Sequence, residues 1–149
     1  VVSREPYKPG DDWTETYTML CGYCRHQTQC QIVEAMIAYA NGDGPWPQGG
    51  WVTDPGAGVT CLSYEPRPRK ALSRQRLRAI TRTKDASLPP VCEGCASRKG
   101  SEASTALHTQ RDYAAAVRDQ APFVCHEDPN LQRLCGGWCR AIKRKRKAE

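Results

Sequence analysis

The sequence predicts a small, loop-rich α+β protein in which two metal-stapled modules are joined by a basic helical linker. Three observations predict it. First, the nine cysteines fall into two clusters, each opened by a Cys-x2-Cys step: Cys21 and Cys24 followed by Cys30 and Cys61, then Cys92 and Cys95 followed by Cys125, Cys135 and Cys139. A Cys-x2-Cys turn lets two thiolates converge on one ion, and tetrahedral closure takes two more ligands from a distant segment. Second, hydrophobic residues make up only 39% of the chain, with a single Phe, so each half has a thin core and needs a staple. Third, Pro66, Pro68, Pro89 and Pro90 bracket a basic stretch between the two clusters. The boundaries that follow are residues 1–66 for the first metal-binding module, 67–89 for the linker, and 90–149 for the second module with a basic C-terminal tail.

Taken in order, Val1–Gly10 is polar with two prolines and is expected to lack structure of its own. Thr14–Leu20 alternates and predicts a short strand feeding the Cys21 turn. Ile32, Val33, Met36, Ile37 and Ala40 follow helical spacing, and Asn41-Gly42 stops that helix. Gly42–Gly58, rich in Gly and Pro, predicts turn structure in which Trp46 and Trp51 cover the metal site, and Cys61 arrives on a short Val59–Leu62 stretch. Ala71–Thr83 predicts a helix with a weak apolar stripe of Leu72, Leu77 and Ile80. Thr109–Gln120 predicts an amphipathic helix with Tyr113, Ala116 and Val117 inward and an imperfect capping pair at Thr109 and Asp112. Pro122-Phe123-Val124 is an extended lead-in to Cys125 and His126.

A disulfide framework is the alternative use of these cysteines. Against it stand the odd count, the two Cys-x2-Cys turns and the lack of a secretory h-region in Val1–Leu20, which together favour a reducing, cytoplasmic compartment. No apolar run approaches transmembrane length, so no membrane partner is expected. In the first cluster Cys61 is the cysteine available to complete a four-thiolate site with Cys21, Cys24 and Cys30. Four thiolates suit zinc or an iron–sulfur cluster equally. In the second, His126 is a reserve ligand or a support for one.

Cys21-x2-Cys24-x5-Cys30, followed by a helix and the turn Gly49-Gly50-Trp51, resembles the three-cysteine run of the WhiB-type iron–sulfur regulators over roughly Cys21 to Val52. That family takes its fourth ligand from upstream, whereas this chain offers Cys61 downstream. The second half, from Pro90 to Arg140, resembles a family of small uncharacterised bacterial and phage proteins. The shared elements are Cys92 with Cys95, a helix, Phe123-Val124-Cys125-His126 and Cys135-Gly136-Gly137-Trp138. That resemblance implies Cys92, Cys95, Cys125 and Cys135 as ligands and leaves Cys139 as the odd thiol. The expected cofactors are two zinc ions, with a 4Fe–4S cluster at the first site or both as the alternative.

The formal charge of +6 is segregated. Arg67–Lys84 and Arg140–Lys147 together hold 14 of the 22 basic residues and none of the 16 acidic ones, so the remainder carries 8 basic against 16 acidic residues, a net −8. On a helix Arg74, Arg78 and Arg82 share one face and can follow a phosphate backbone. Lys143, Arg144 and Lys145 are the candidates from the C-terminal run. Enzyme signatures are missing. There is no deaminase Glu ahead of a Pro-Cys-x2-Cys, no Gly-Lys-Ser/Thr phosphate loop, no nucleophile elbow and no His-Glu-x2-His. Cys21-Gly22-Tyr23-Cys24 superficially matches a redox turn but lacks the strand–helix continuation. The function expected is therefore non-enzymatic: a bacterial or phage protein that binds nucleic acid or a nucleic-acid-handling complex. The alternatives are a phage-type inhibitor or adaptor docking on a host protein, and an iron–sulfur redox sensor.

Overall fold

The computed structural model describes residues 5–7, 17–18, 20–54 and 58–148. It is a small α+β protein with two hydrophobic clusters. The first gathers around a three-stranded antiparallel sheet, β1 (Glu5–Pro6), β2 (Trp51–Asp54) and β3 (Gly58–Cys61), in that order. Trp51 lies opposite Cys61, and Val52 opposite Thr60. Pro6, which has no N–H to give, sits on the edge strand, where a proline is tolerated. Helix α1 (Gln31–Ala40) buries Val33 and Met36 with Trp46, Trp51 and Tyr64. It ends as the sequence predicts: the Asn41 N–H bonds the Ile37 carbonyl, and Gly42 takes φ +79°, a conformation that costs glycine least.

Three expectations for this half are corrected. Tyr17, Thr18, Leu20 and Cys21 are helical rather than extended, while Thr14–Thr16 and Met19 lie outside the described residues. Leu20 and Cys21 are consecutive and both buried in one cluster, which a strand with alternating faces does not provide. Trp51–Asp54, expected as turn, is a strand. Glu5–Pro6, expected to be without structure, pairs with it, and the Tyr7 ring packs edge-on against Trp46 at 5.9 Å.

Four helices follow, α2 (Arg74–Arg82), α3 (Glu102–Thr105), α4 (Leu107–Arg118) and α5 (Gly136–Ala148), of which α2, α4 and α5 carry the second cluster and α3 buries no residue. Ser73 caps α2, its hydroxyl accepting the Arg76 N–H, so that helix starts three residues later than predicted and Leu72 instead donates its N–H to the Gln120 carbonyl. Ser101 caps α3 in the same way. Helix α4 begins at Leu107, so Thr109 and Asp112 are not its capping pair; Asp112 bonds across to the first cluster instead. The basic C-terminal run, expected as a tail, is helix α5. Trp138, Cys139 and Ile142 form its fully buried stripe against Leu77 of α2 and Ala116 of α4. Residues of the 67–89 stretch, expected as a linker, thus supply Leu77 and Leu88 to this core.

Between α4 and α5 the chain makes a hairpin. Val124 pairs with Leu134, Cys125 donates its N–H to the Arg133 carbonyl, and Cys135 donates to that of Phe123. The Asp128 carboxylate closes the loop by accepting the N–H groups of Asn130, Gln132 and Arg133. The two clusters meet through polar contacts. Tyr64 Oη donates to Asp112 Oδ1 at 2.8 Å, Arg69 pairs with Asp112 at 3.1 Å, and Arg111 Nη1 donates to the carbonyls of Leu62 and Tyr64. Among the described residues no helix is long and apolar enough to cross a membrane.

Candidate metal centres and basic face

The helical turn ending at Cys21 leads straight into the first thiol cluster. Gly22 permits it, because a Cβ there would lie 2.5 Å from the Thr18 carbonyl oxygen. The Cys24 N–H returns to the Cys21 carbonyl, Cys30 precedes α1, and Cys61 ends β3 opposite Trp51. Cys21, Cys24, Cys30 and Cys61 all line one cavity of about 10 Å³, with Leu20, Val33 and Tyr64. Burial pushes the Cys21 thiol up to about 12, and the neighbouring Cys61, Cys24 and Cys30 add to it. Burial also raises Cys61, opposed by the Ser63 N–H and reinforced by Cys30 and Cys24. Gathered thiols of this kind resist ionising together, and a cation among them reverses the balance.

The second cluster is arranged differently. Cys95 Sγ touches Cys135 Sγ at 3.4 Å and Ser97 Oγ at 3.2 Å. Both sulfurs face the start of α5. A Cβ on Gly137 would collide with Ser97 Oγ and lie 2.7 Å from Cys95 Sγ, and one on Gly136 would collide with the carbonyl oxygens of Pro89 and Pro90. The Gly-Gly step is therefore what brings the helix end onto the thiols. Burial opposes ionisation of Cys95, but hydrogen bonds from the Ser97 hydroxyl and amide, the Cys135 thiol and the Gly137 amide outweigh it and hold the thiol below its ordinary value. Cys135 is pushed up to about 11 by burial, with the Trp138 N–H opposing and Cys95 adding to the rise. Cys92 rises to about 12 through burial, then a hydrogen bond with Glu127, then Cys125 and Cys95. Arg133 Nη2 donates to Cys125 Sγ at 3.3 Å. Cys139 is buried in the apolar core; burial raises it, Arg140 opposes, and no other thiol contributes.

One group of three has all its ligand atoms within 4.8 Å of one another: Cys92, His126 and Glu127. Among the described residues neither set of four thiols is drawn together that tightly. His126, a reserve ligand in the sequence, thus stands beside Cys92. Glu127 was missed, its one signal being that it follows Cys125-His126. Nine cysteines and this group are compatible with metal binding.

The predicted phosphate-binding residues separate into two kinds. Arg74, Arg78 and Arg82 are exposed on α2, and Arg144 is exposed on α5. Lys143 and Lys145 are engaged within the fold. Lys143 Nζ bonds the Thr83 carbonyl at 2.7 Å and pairs with Asp85 at 2.6 Å, and Lys145 Nζ bonds the Arg118 carbonyl at the end of α4. Helices α2 and α5 pack side by side. Between them lies an open groove of about 470 Å³ lined by Arg74 and Arg78 from α2, Arg146 from α5, and Gln120, which accepts from Arg146 at 3.4 Å. Its described lining contains no acidic side chain. Arg146 was not singled out in the sequence, because its place beside α2 depends on the C-terminal run being a packed helix.

No protein-family model matches the chain, and no curated protein and no solved structure matches it.

Proposed function

We propose that this chain is a non-enzymatic, zinc-stapled protein that binds nucleic acid through the face formed by α2 and α5. The observation that carries the reading is the pairing of the two basic helices, which gathers Arg74, Arg78 and Arg146 around one groove with no acidic lining. Guanidinium groups so placed neutralise successive phosphates and release their counterions. The first zinc ion acts structurally. In the first body Cys21, Cys24, Cys30 and Cys61 hold it; the other is anchored at the Cys92-x2-Cys95 turn.

The test is affinity for a duplex DNA and a single-stranded RNA oligonucleotide measured against salt. Joint replacement of Arg74, Arg78 and Arg146 by Gln is expected to lower the slope of log affinity against log salt by about 2 to 3. Lys143→Gln, at a residue already held by Thr83 and Asp85, leaves that slope in place. If the parent binds neither oligonucleotide at low salt, the reading falls. Nuclease-resistant capture of one host protein would then establish the adaptor alternative.

A further inference from the structure

We infer that the second body carries a divalent-metal site of mixed donors, formed by the Cys92 thiol, the His126 imidazole and the Glu127 carboxylate, with one coordination position open to solvent. The inference rests on the metal-stapled reading above and deepens it by assigning the ligands of the second ion.

The three ligand atoms lie within 4.8 Å of one another. Zinc bonds of about 2.0 to 2.3 Å place neighbouring tetrahedral donors about 3.4 to 3.6 Å apart. Closing the group therefore takes shifts of about 1 Å, within the freedom of two exposed side chains. A second observation fixes their direction. A Cβ on Gly94 would lie 2.7 Å from His126 Nε2 and 3.8 Å from Glu127 Oε1, so both donor atoms project over the Cys92-x2-Cys95 turn, where glycine leaves them room. The hairpin that pairs Val124 with Leu134 delivers them there.

The other thiols of this half have different company. Cys95 is in contact with Cys135 and Ser97, Cys125 accepts from Arg133, and Cys139 lies in the apolar core. Cys92 is the half-exposed thiol of the set. One thiolate, one imidazole and one carboxylate suit zinc, and also cobalt or nickel. Four thiolates would close the coordination sphere; three donors at the surface leave a position for water or an added ligand. The ion of the second body is thus exchangeable, in contrast to one enclosed by the first four thiols.

The experiment is cobalt substitution of the full chain, reading metal equivalents and the d–d bands. His126→Ala and Glu127→Gln are each expected to weaken one equivalent by more than about tenfold, at least the loss caused by removing even a supporting group. Imidazole added to the parent should shift the bands of that equivalent, while Cys95→Ser and Cys135→Ser should retain it. Both His126 and Glu127 are exposed, and unchanged circular dichroism would show that their variants still fold. If Cys95→Ser or Cys135→Ser abolishes the second equivalent while His126→Ala leaves its affinity and bands untouched, four thiolates hold the ion and this inference is overturned. A parent that binds no metal at all would instead overturn the metal-stapled reading itself.

Discussion

The two bodies set the same sequence signal, a Cys-x2-Cys turn with later cysteines, in different frameworks. In the first, Cys21, Cys24 and Cys61 are themselves part of the buried core, framed by one ten-residue helix, three short strands, the helical turn ending at Cys21 and a 3-10 turn at Gln27–Gln29. In the second, Cys95, Cys135 and Cys139 are core members too, packed with Leu77, Leu88, Trp138 and Ile142 between helices, while Cys92 stands apart in a solvent-facing group with His126 and Glu127. Buried thiols can therefore sit in a core framed by a small sheet or in one framed by packed helices. Metal dependence of folding should differ accordingly.

The largest expected effect tests that difference. Removing metal with a chelator, or substituting Cys24→Ser, should abolish hydrogen-exchange protection of α1 and β2, because zinc binding to a structural site contributes on the order of 10 kcal/mol to folding. Protection in the buried turns of α5 should persist. Equal loss in both bodies would show that the second core is no more self-sufficient than the first.

An intermediate effect comes from two glycines. A Cβ on Gly136 would meet the backbone of Pro89 and Pro90, which cannot move without displacing α5, whereas one on Gly50 meets a side chain, Ile32, with Cδ1 and the branch carbon Cγ2 at 2.9 Å. Gly136→Ala should cost about 1 to 3 kcal/mol, the range for overpacking, and Gly50→Ala distinctly less. Denaturant midpoints of the two variants decide it. A Gly50 variant that loses as much as the Gly136 variant would mean that the first body is packed as rigidly as the second.

The sequence made α1 legible because Val33 and Met36 carry its period and Asn41-Gly42 ends it. It hid α5, because six basic residues in Arg140–Lys147 mask a stripe of Trp138, Cys139 and Ile142 that is seen only when the tryptophan is counted as helix. The helical residues before Cys21 were misread from alternation alone, a pattern that a short helical turn with two adjacent buried side chains does not follow. Cys21, Cys24, Cys30 and Cys61, grouped in the sequence by their spacing, line one cavity. Glu127 was not, since its nearness to Cys92 arises from a hairpin closed by Asp128 rather than from any spacing. Lys143 and Lys145 counted as free positive charge in the sequence, because nothing local announces that Asp85 and the end of α4 take them up.

The smallest effect concerns how the second body holds its two basic helices together without metal. Lys143 of α5, only 15% exposed, pairs with Asp85 just beyond α2. The hydrogen bond and charge of Lys143 hold the Asp85 carboxyl below the usual carboxylate range, with Lys147 and Arg140 adding to the effect. A folded value lower than the unfolded one stabilises the fold above the ordinary carboxylate range, and the stabilisation is lost as pH falls through the folded value. Asp85→Asn should therefore lower the unfolding midpoint slightly at neutral pH, and the difference from the parent should vanish in acid and shrink with added salt. Thermal unfolding of both proteins from neutral to acid pH measures this. A difference that stays constant across that range would mean that Asp85 acts through shape or neutral hydrogen bonding rather than charge. Repeating the titration on chelated protein completes the contrast between the bodies. The same pH-dependent difference should survive there, because the contact between α2 and α5 belongs to the body whose core is framed by packed helices.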